Sequence, residues 1–283
     1  PIERLELMNS PAIDLYLNKG VNIRKEMLEI ALCAQHNNGG IAVDLWWQTD
    51  VKGLFAAGEV AGTHGVYRPG GSALNAGQVG SLRAARFIAK NRSGLPEKSG
   101  FEATAKNILA ADQRLLNSLL SNDNNVEEQT ARARRRMSEK GGAIRNEQKI
   151  AEALKETKQQ LESFENFVGA RESEGLAKAF RLRDTLVSQL VYLSAMEHYA
   201  KLGGASRGSY ICCDKDGILP EGLEEQFRFS TPSAETQPKI TEVLFNEQRV
   251  QCEFSERLPR PLPQGGGFFE NVWRDYRKNG NVY

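Results

Sequence analysis

The stretch that decides the fold is Gly53-Leu54-Phe55-Ala56-Ala57-Gly58-Glu59, followed after four residues by His64-Gly65-Val66-Tyr67-Arg68-Pro69-Gly70-Gly71-Ser72-Ala73-Leu74. The apolar run over residues 51–57 predicts a buried strand that enters a turn at Gly58. The glycine-rich loop leads to Ser72, where a helix is predicted to begin. This order is typical of a ligand-binding site, because unpaired backbone N–H groups and the positive end of a helix dipole meet at one point.

The composition is that of an ordinary globular chain. It has 283 residues, of which 40% are hydrophobic and 26% are charged, and its net charge is +1. One large domain or two to three smaller ones are expected. The balanced charge predicts no nucleic-acid partner, and no apolar run approaches the length of a transmembrane helix. The chain starts at Pro1 without a methionine, which indicates a piece of a longer protein.

Residue spacing argues against several kinds of site. The four cysteines match neither a CxxC metal pattern nor a disulfide framework, which predicts a reducing, cytoplasmic setting. The adjacent Cys212 and Cys213 leave a redox pair open, although two buried small residues are the simpler interpretation. With three histidines, no metal site is predicted. No GxGxxG or GxxxxGK[ST] motif occurs.

The middle of the chain predicts a bundle of helices. Apolar residues at helical spacing predict amphipathic helices over about residues 103–120, 146–168 and 176–200. The basic run Arg134-Arg135-Arg136 is predicted to lie on a solvated helix face. The helix that begins at Ser72 is predicted to have an apolar face formed by Val79, Leu82, Ala85, Phe87, Ile88 and Ala89.

The last part of the chain predicts a small sheet. Residues 240–245 and 250–254 predict two antiparallel strands joined by Asn246-Glu247-Gln248. Phe227-Arg228-Phe229 predicts a further short strand. Residues 259–263 are proline-rich and predict a linker, with a ligand for an adaptor domain as the alternative.

As a set, these motifs resemble the flavoprotein superfamily of succinate dehydrogenase, fumarate reductase and L-aspartate oxidase. That family carries H-x-x-x-G-G-I, then G-L-[FY]-A-x-G-E, then H-G-x-x-R-x-G-x-x-x-L. Gly39-Gly40-Ile41, residues 53–59 and residues 64–74 stand in the matching places. The similarity extends over about residues 12–215, where Ala205-Ser206-Arg207-Gly208-Ser209-Tyr210 resembles the family's E-S-R-G-x-H segment.

The resemblance implies the fold class, an α+β or α/β fragment. It comprises the end of an FAD-binding α/β domain, a helical bundle and a small strand-containing C-terminal region. Residues 1–40 would be the tail of a substrate-capping domain and residues 41–95 the C-terminal part of the FAD-binding domain. Residues 96–205 would be the bundle and residues 206–283 an extension.

The resemblance also implies FAD as cofactor and assigns residues to it. Glu59 would accept hydrogen bonds from the ribose hydroxyls of FAD. Gly39, Gly40 and Gly58 would let the backbone approach the cofactor. The helix start would face the N1/O2 edge of the flavin, where its dipole stabilises the charge of the reduced ring. The residues of that segment are Ser72, Ala73, Leu74 and Asn75.

Four residues are implied at the substrate. Arg68 would bind a substrate carboxylate, because its planar fork suits bidentate pairing, and His64 would orient the loop or contact substrate. An ungapped alignment places Gln35 where the family has its substrate histidine, and His36 one position later. Glutamine cannot carry the positive charge of that histidine, so a substrate more polar or less anionic than succinate or fumarate is expected.

The complete protein is therefore predicted to be an FAD-dependent oxidoreductase that transfers hydride between flavin N5 and an unknown substrate. The family's pyrophosphate loop and proton-donating arginine would lie upstream, so the chain alone is expected to be inactive and to bind FAD weakly. An electron-transfer flavoprotein or one acting on a sulfur compound is one alternative. A helical partner-docking module without catalysis is another. The expected protein partners are a second copy, through exposed sheet edges, and an electron-transfer subunit.

Overall fold

A computed structural model describes residues 1–29, 36, 39–65, 68, 70–91, 98–206, 210–231, 239–259 and 268–279. The chain divides into two compact units, Pro1–Asn37 and Asn38–Tyr283. The mixture of helices and small sheets confirms the predicted fold class. The four-part domain division stays a proposal. Several predicted features lie outside the described residues: Gln35, the segment Arg207-Gly208-Ser209 and residues 260–263 of the predicted linker.

The first unit contains helix α1, Ile2–Asn18, which is kinked at Asn9. The kink lies just before Pro11, as expected of a residue that lacks an N–H group and clashes with the preceding turn. Gly20 follows the helix with a φ of 85°, a conformation that glycine adopts without strain. The Arg24 guanidinium lies 2.5 Å from the Glu6 carboxylate and ties the segment that follows the helix to α1.

The predicted buried strand over residues 51–57 is wrong. Thr49 N donates to Leu54 O at 2.9 Å and Ala56 N donates to Trp47 O at 3.0 Å, so the segment is a tight hairpin. Val51 and Leu54 are exposed. Gly53 has a φ of 92° and makes the turn that interrupts the apolar run. A short 3-10 helix, Gly58–Val60, follows.

Helix α2, Ser72–Asn91, begins where predicted, but most of its predicted apolar face is exposed. Its buried residues are Gly80 and Ala84, whereas Val79, Leu82 and Ile88 are exposed. The helix lies so close to its neighbours that only small residues fit at the contact. Of the predicted face, Phe87 does pack, with its ring centre 5.9 Å from the ring centres of Trp46 and Phe55, so the periodicity of large apolar side chains identified the packed face only in part.

Five helices form the centre of the second unit. They are α3 (Lys98–Ser121), α4 (Val126–Lys140), α5 (Glu147–Glu162), α6 (Phe164–Phe167) and α7 (Glu172–Lys201). The three predicted helices correspond to α3, to α5 with α6, and to α7. The main core cluster contains Leu115, Leu119, Val126, Ala133, Phe164, Val168, Ala170, Ala179, Leu182 and Leu186.

Arg136 corrects the prediction of a solvated basic run. Only 3% of this residue is exposed, although Arg134 and Arg135 are on the surface. Its Nη1 donates to Thr157 Oγ1 at 3.0 Å and to Gln189 Oε1 at 3.2 Å, and its Nη2 donates to Gln160 Oε1. Burial lowers the pKa of the guanidinium from its ordinary value, but arginine remains charged. Residues 129, 133 and 136 follow one another at intervals of four and three positions, so they lie on the same side of α4, and that side is buried.

Two small sheets and a last helix complete the described residues. Strand β1 (Ile144–Arg145) pairs in parallel with β2 (Ile211–Ile218), a strand that the sequence did not predict. Strands β3 (Ile240–Asn246) and β4 (Gln251–Arg257) form the predicted antiparallel hairpin, with Val243 opposite Phe254. Helix α8 spans Phe268–Asn279.

The predicted strand at Phe227-Arg228-Phe229 is wrong. Residues Glu225–Phe227 form a 3-10 helix, and Phe229 alone makes isolated bridges, to Cys213 and Ile218.

Among the helices of the described segments, none combines the length and the apolar character needed to cross a bilayer.

Candidate functional site

Two backbone segments, residues 39–41 and 60–62, lie side by side. Ile41 N donates to Val60 O at 2.8 Å and Gly62 N donates to Ile41 O at 3.0 Å, which makes a parallel bridge between Ile41 and Ala61. A Cβ atom at Gly40 would lie 2.3 Å from Val60 O. Of the predicted pair Gly39 and Gly40, it is Gly40 that must lack a side chain for these two segments to pack.

Glu59 lies in the 3-10 helix that follows the hairpin, with its side chain on the exposed surface. The preceding Gly58 has a φ of 78°, a conformation that is strained for a residue with a side chain. The turn is closed by Ala61 N, which donates to Gly58 O at 3.2 Å. An exposed carboxylate is thus held on a short, hydrogen-bonded turn.

Helix α2 packs directly on this turn. A Cβ atom at Gly77 would lie 3.4 Å from Gly58 Cα, so the backbone of the second turn of α2 touches the backbone that carries Glu59. At the helix start, Ser72 and Ala73 are half-buried, while Leu74 and Asn75 are exposed. The packing holds the turn that carries Glu59 against the second turn of α2, which follows directly on the predicted flavin-facing helix start.

A brace formed by Arg83, Trp46 and Trp47 holds the next turns of α2, and sequence reasoning missed it. Arg83 Nε donates to Leu45 O at 2.8 Å, and its guanidinium lies 5.0 Å from the centre of the Trp46 ring. A Cβ atom at Gly80 would lie 2.3 Å from Trp47 Nε1, so the Trp47 indole fills the space that glycine leaves.

The signal for this brace is Asp44-Leu45-Trp46-Trp47. The Asp44 carboxylate accepts from Trp46 N at 2.7 Å and from Gln48 N at 3.0 Å, an arrangement typical of aspartate in turns. Trp47 itself has a φ of 61°, which is rare for a bulky residue. Two adjacent tryptophans after a turn-forming aspartate mark a fixed loop.

The structure describes three of the four predicted substrate residues. His64 is buried, and Arg68 is half-buried. The Arg68 Nε is buried without a hydrogen-bond partner among the residues described. His36 belongs to the first unit, and Gln35 lies outside the described residues. The grouping of these four residues at one substrate stays a prediction.

Glycines give the loop region an open surface. A Cβ atom added at any of five glycines would meet no atom of the described residues within 4 Å, at Gly39, Gly58, Gly65, Gly70 and Gly71. The open glycine surface, an exposed carboxylate and a helix start suit a ligand that carries hydroxyl donors and polar acceptor atoms. Across the described part of the chain, no group of three or more metal-ligating side chains comes together.

The open question of a cysteine redox pair can be judged from the surroundings of Cys212. Cys212 and Cys213 are both free thiols. Burial raises the pKa of the Cys212 thiol, and the neighbouring Arg145 only partly offsets this. A raised pKa disfavours the reactive thiolate, so the simpler interpretation as half-buried small residues is favoured.

Comparison with known proteins gives matches to flavoproteins. A family model described as "FAD binding domain" matches residues 4–74. A protein of Methanothermobacter marburgensis, named as one of the subunits of fumarate reductase (CoM/CoB), is 47% identical over 90 residues, which are 31% of this chain and 16% of that protein. An FAD-dependent oxidoreductase of Methanocaldococcus jannaschii is 31% identical over 228 residues, 80% of this chain and 40% of that protein. L-aspartate oxidase of Pyrococcus horikoshii is 37% identical over 76 residues, 26% of this chain and 16% of that protein.

Solved structures show the same fold. A quinol-fumarate reductase with menaquinol molecules aligns with a TM-score of 0.67 at 21% identity, over 93% of this chain and 44% of that one. Mycobacterium smegmatis Sdh1 in complex with UQ1 aligns with a TM-score of 0.63 at 20% identity, over 97% of this chain and 44% of that one. The chain spans less than half the length of these relatives and structures.

The family model, the relatives and the fold agree with the resemblance predicted from the glycine, glutamate and arginine motifs. FAD is the cofactor of this family. The chain belongs to the flavoprotein superfamily that contains fumarate reductase, succinate dehydrogenase and L-aspartate oxidase.

Proposed function

We propose that this chain supplies the ribose-binding carboxylate, the flavin-facing helix and a substrate arginine to an FAD-dependent oxidoreductase. The observation that carries the proposal is the contact of Gly77 in α2 with Gly58 beside Glu59. It fixes a carboxylate and a helix start relative to each other. Bound FAD would supply the redox chemistry, in which hydride passes between the substrate and flavin N5.

Glu59 acts on the cofactor ribose in this proposal. A carboxylate has two oxygens and accepts hydrogen bonds only, so it suits a pair of hydroxyl donors. The Glu59 side chain lies at the surface of the turn. The turn that holds it is fixed by the contacts to Ile41 and to α2. Ligand binding would therefore restrict the Glu59 side chain but would not have to order the backbone around it.

The start of α2 acts on the flavin ring. The first N–H groups of a helix have no partner within the helix, and they point along the positive end of its dipole. The predicted segment is Ser72, Ala73, Leu74 and Asn75; since Asn75 N already donates to Gly71 O at 3.5 Å, the N–H groups of Ala73 and Leu74 carry this part of the proposal. They would donate to the polar edge of the ring and favour its negatively charged reduced form. The brace of Arg83, Trp46 and Trp47 holds α2 in the required position.

Arg68 binds a carboxylate of the substrate in this proposal. Its Nε, buried without a partner among the residues described, is a donor that a ligand would satisfy. Gln35 in place of the family's histidine removes a positive charge, which favours a substrate with fewer carboxylates than succinate. His64 and His36 would orient the loop and the substrate.

The cellular setting of the proposal is a complex of several subunits. One relative carries the name of a fumarate reductase subunit, which supports an electron-transfer partner for the complete protein. A cytoplasmic location rests on the cysteine pattern. We also propose that the chain pairs with a second copy, which gel filtration would test. Its proposed weak binding of FAD on its own would be tested by flavin absorption.

The experiment is a titration of FAD into the complete protein carrying Glu59→Gln. Loss of a charged acceptor for two hydroxyl donors should weaken FAD binding about tenfold. Glu102→Gln, an exposed glutamate of α3 that pairs with Lys98, is the matched control and should leave FAD binding unchanged. Equal FAD affinity in the Glu59→Gln variant and the unaltered protein would remove Glu59 from the cofactor site.

A second candidate function, a partner-docking helical module, is favoured by the surface of α3. Phe101, Ile108 and Leu109 lie on one side of this helix and are 65%, 57% and 66% exposed. Exposed apolar residues at helical spacing suit a partner helix. If docking is the main role, Ile108→Glu should abolish co-purification of a partner protein and leave FAD binding intact. Loss of FAD binding together with the partner would favour the enzyme interpretation.

A further inference from the structure

Helix α2 contacts the segment that precedes it at two points, one turn apart. At the first point, Gly77 packs on the backbone of Gly58. At the second, Gly80 packs on the indole ring of Trp47, and a Cβ atom at this position would overlap the ring. Residues three apart lie on the same side of a helix. The two contacts together therefore fix both the position and the tilt of α2.

Both contacts come from one hydrogen-bonded stretch of backbone. Trp47 O accepts from Ala56 N at 3.0 Å, and Gly58 follows Ala56 by two residues. Trp47 N in turn donates to Asp44 O at 3.2 Å. The Trp47 side chain therefore acts on α2 from the same hairpin that leads into the turn of Glu59.

Trp47 has two unfavourable features at this contact. Its φ of 61° is rare for a residue with a bulky side chain. Its indole Nε1 is buried without a hydrogen-bond partner among the residues described. Backbone strain and unpaired buried donors lower stability, and they collect at sites where geometry serves function. The two features together point to a functional role for the position that this contact gives to α2.

A displacement at this contact would be enlarged at the start of α2. Gly80 follows Ser72 by eight residues, about 12 Å along the helix, and follows Gly77 by three residues, about 4.5 Å. With Gly77 held against Gly58, a movement at Gly80 tilts the helix and moves its start in the opposite direction. The start lies further from Gly77 than Gly80 does, so the movement there is the larger one.

We propose that Trp47 is a positioning residue for the flavin, and that its ring sets the reduction potential of bound FAD through the tilt of α2. The inference rests on the proposed function, in which N–H groups at the start of α2 favour the negatively charged reduced form of the flavin ring. A helix start that is moved away from the ring stabilises this form less. Reduced FAD is then bound more weakly relative to oxidised FAD, and the reduction potential falls.

The test is Gly80→Ala in the complete protein loaded with FAD, with the midpoint potential of the bound cofactor as the readout. The methyl group would meet the Trp47 ring and tilt α2, although alanine favours the helix itself over glycine. The affinity for reduced FAD should fall about tenfold relative to that for oxidised FAD, which lowers the midpoint of a two-electron couple by about 30 mV. Ser81→Ala, an exposed change one position away, should leave the potential unchanged.

Two variants at position 47 test the ring itself. Trp47→Phe keeps an aromatic ring against Gly80 and should change the potential less than Gly80→Ala does. Trp47→Gly adopts the φ of 61° without strain but supplies no ring, so it should lower the potential as Gly80→Ala does. If Gly80→Ala does not fold, Trp47→Gly decides the matter. An unchanged potential in either folded variant, Gly80→Ala or Trp47→Gly, would overturn the proposal.

The Ala56 amide gives a readout that needs no cofactor. It donates to Trp47 O, so its hydrogen exchange should be faster in Gly80→Ala than in Ser81→Ala. A lowered potential without faster exchange would also overturn the proposal, because the effect would then not pass through this contact. Failure of the proposed function is seen separately, as unaltered FAD affinity in the Glu59→Gln variant.

Discussion

Residues 39–91 and the helices α4, α5 and α7 are held together in different ways. In the first region, glycines allow close contacts, as Gly40 lies against Val60, Gly77 against Gly58 and Gly80 against the Trp47 ring. In the second, side chains interlock, and Leu186 and Leu193 are wholly buried. The same chain thus contains one region whose geometry depends on glycines at close contacts and another whose stability depends on tightly packed apolar side chains.

The difference bears on function. Close backbone contacts fix positions without covering the surface, so Glu59 and Asn75 stay exposed beside open glycines. Interlocked side chains bury area, which is the main source of folding free energy. We infer that the bundle stabilises the unit and that residues 39–91 hold the binding geometry. The following predictions test this separation.

The largest effect is expected from Arg136→Ala in the bundle. The change leaves Thr157, Gln160 and Gln189 buried without their donor and should lower the free energy of unfolding by about 3 kcal/mol. Arg135→Ala, one position away and exposed, should change it by less than about 0.5 kcal/mol. Urea denaturation measures both. Similar losses in the two variants would contradict a bundle held by buried side chains.

A smaller and local effect is expected from Gly40→Ala. The new Cβ atom would lie 2.3 Å from a backbone oxygen that cannot move away alone, which should cost about 1–3 kcal/mol. Hydrogen exchange at the Ile41 and Gly62 amides should speed up accordingly. Gly39→Ala meets no described atom within 4 Å and is the matched control. If both variants exchange alike, the backbone contact does not hold the region.

The smallest effect is a pH dependence in the bundle. The hydrogen bond from Lys140 lowers the pKa of Glu156 in the folded state. A depressed carboxyl pKa contributes stability above the unfolded pKa, and that stability is lost as the pH falls through the folded pKa. Because Glu156 is 36% exposed, the loss should be about 1 kcal/mol or less.

Urea midpoints measured from neutral pH down through the carboxyl range would show this loss, and Glu156→Gln should reduce it. Glu139→Gln, an exposed change on α4, should leave the pH profile as it is. A profile that is unaffected by Glu156→Gln would assign the acid sensitivity to other carboxylates.

The spacing of apolar residues and glycines along the chain predicted those helices and strands whose formation depends on neighbouring residues in the sequence. The β3–β4 hairpin and helices α3, α5 and α7 were found from periodicity, because a half-buried strand or helix repeats its apolar residues at a fixed spacing. The start of α2 at Ser72 was found from its glycine-rich loop. Glycine and glutamate spacing was enough to indicate the family.

Features set by distant partners were not predictable in this way. Gly80 lies in the packed face of α2 because the Trp47 indole fills the space beside it, and an apolar scale gives little weight to glycine. Arg136 is buried because side chains on α5 and α7 receive its hydrogen bonds, which a count of charges does not reveal. The substrate residues remain predictions, since their grouping depends on the arrangement of separate units.

The aromatic brace on α2 gives the protein an optical reporter. Two of its three tryptophans, Trp46 and Trp47, stand side by side against this helix. Indole emission changes colour and intensity with the polarity and packing of its surroundings. The intrinsic fluorescence of the unlabelled protein will therefore be weighted towards the loop that holds α2, and a shift in its emission would record any displacement of this helix in real time.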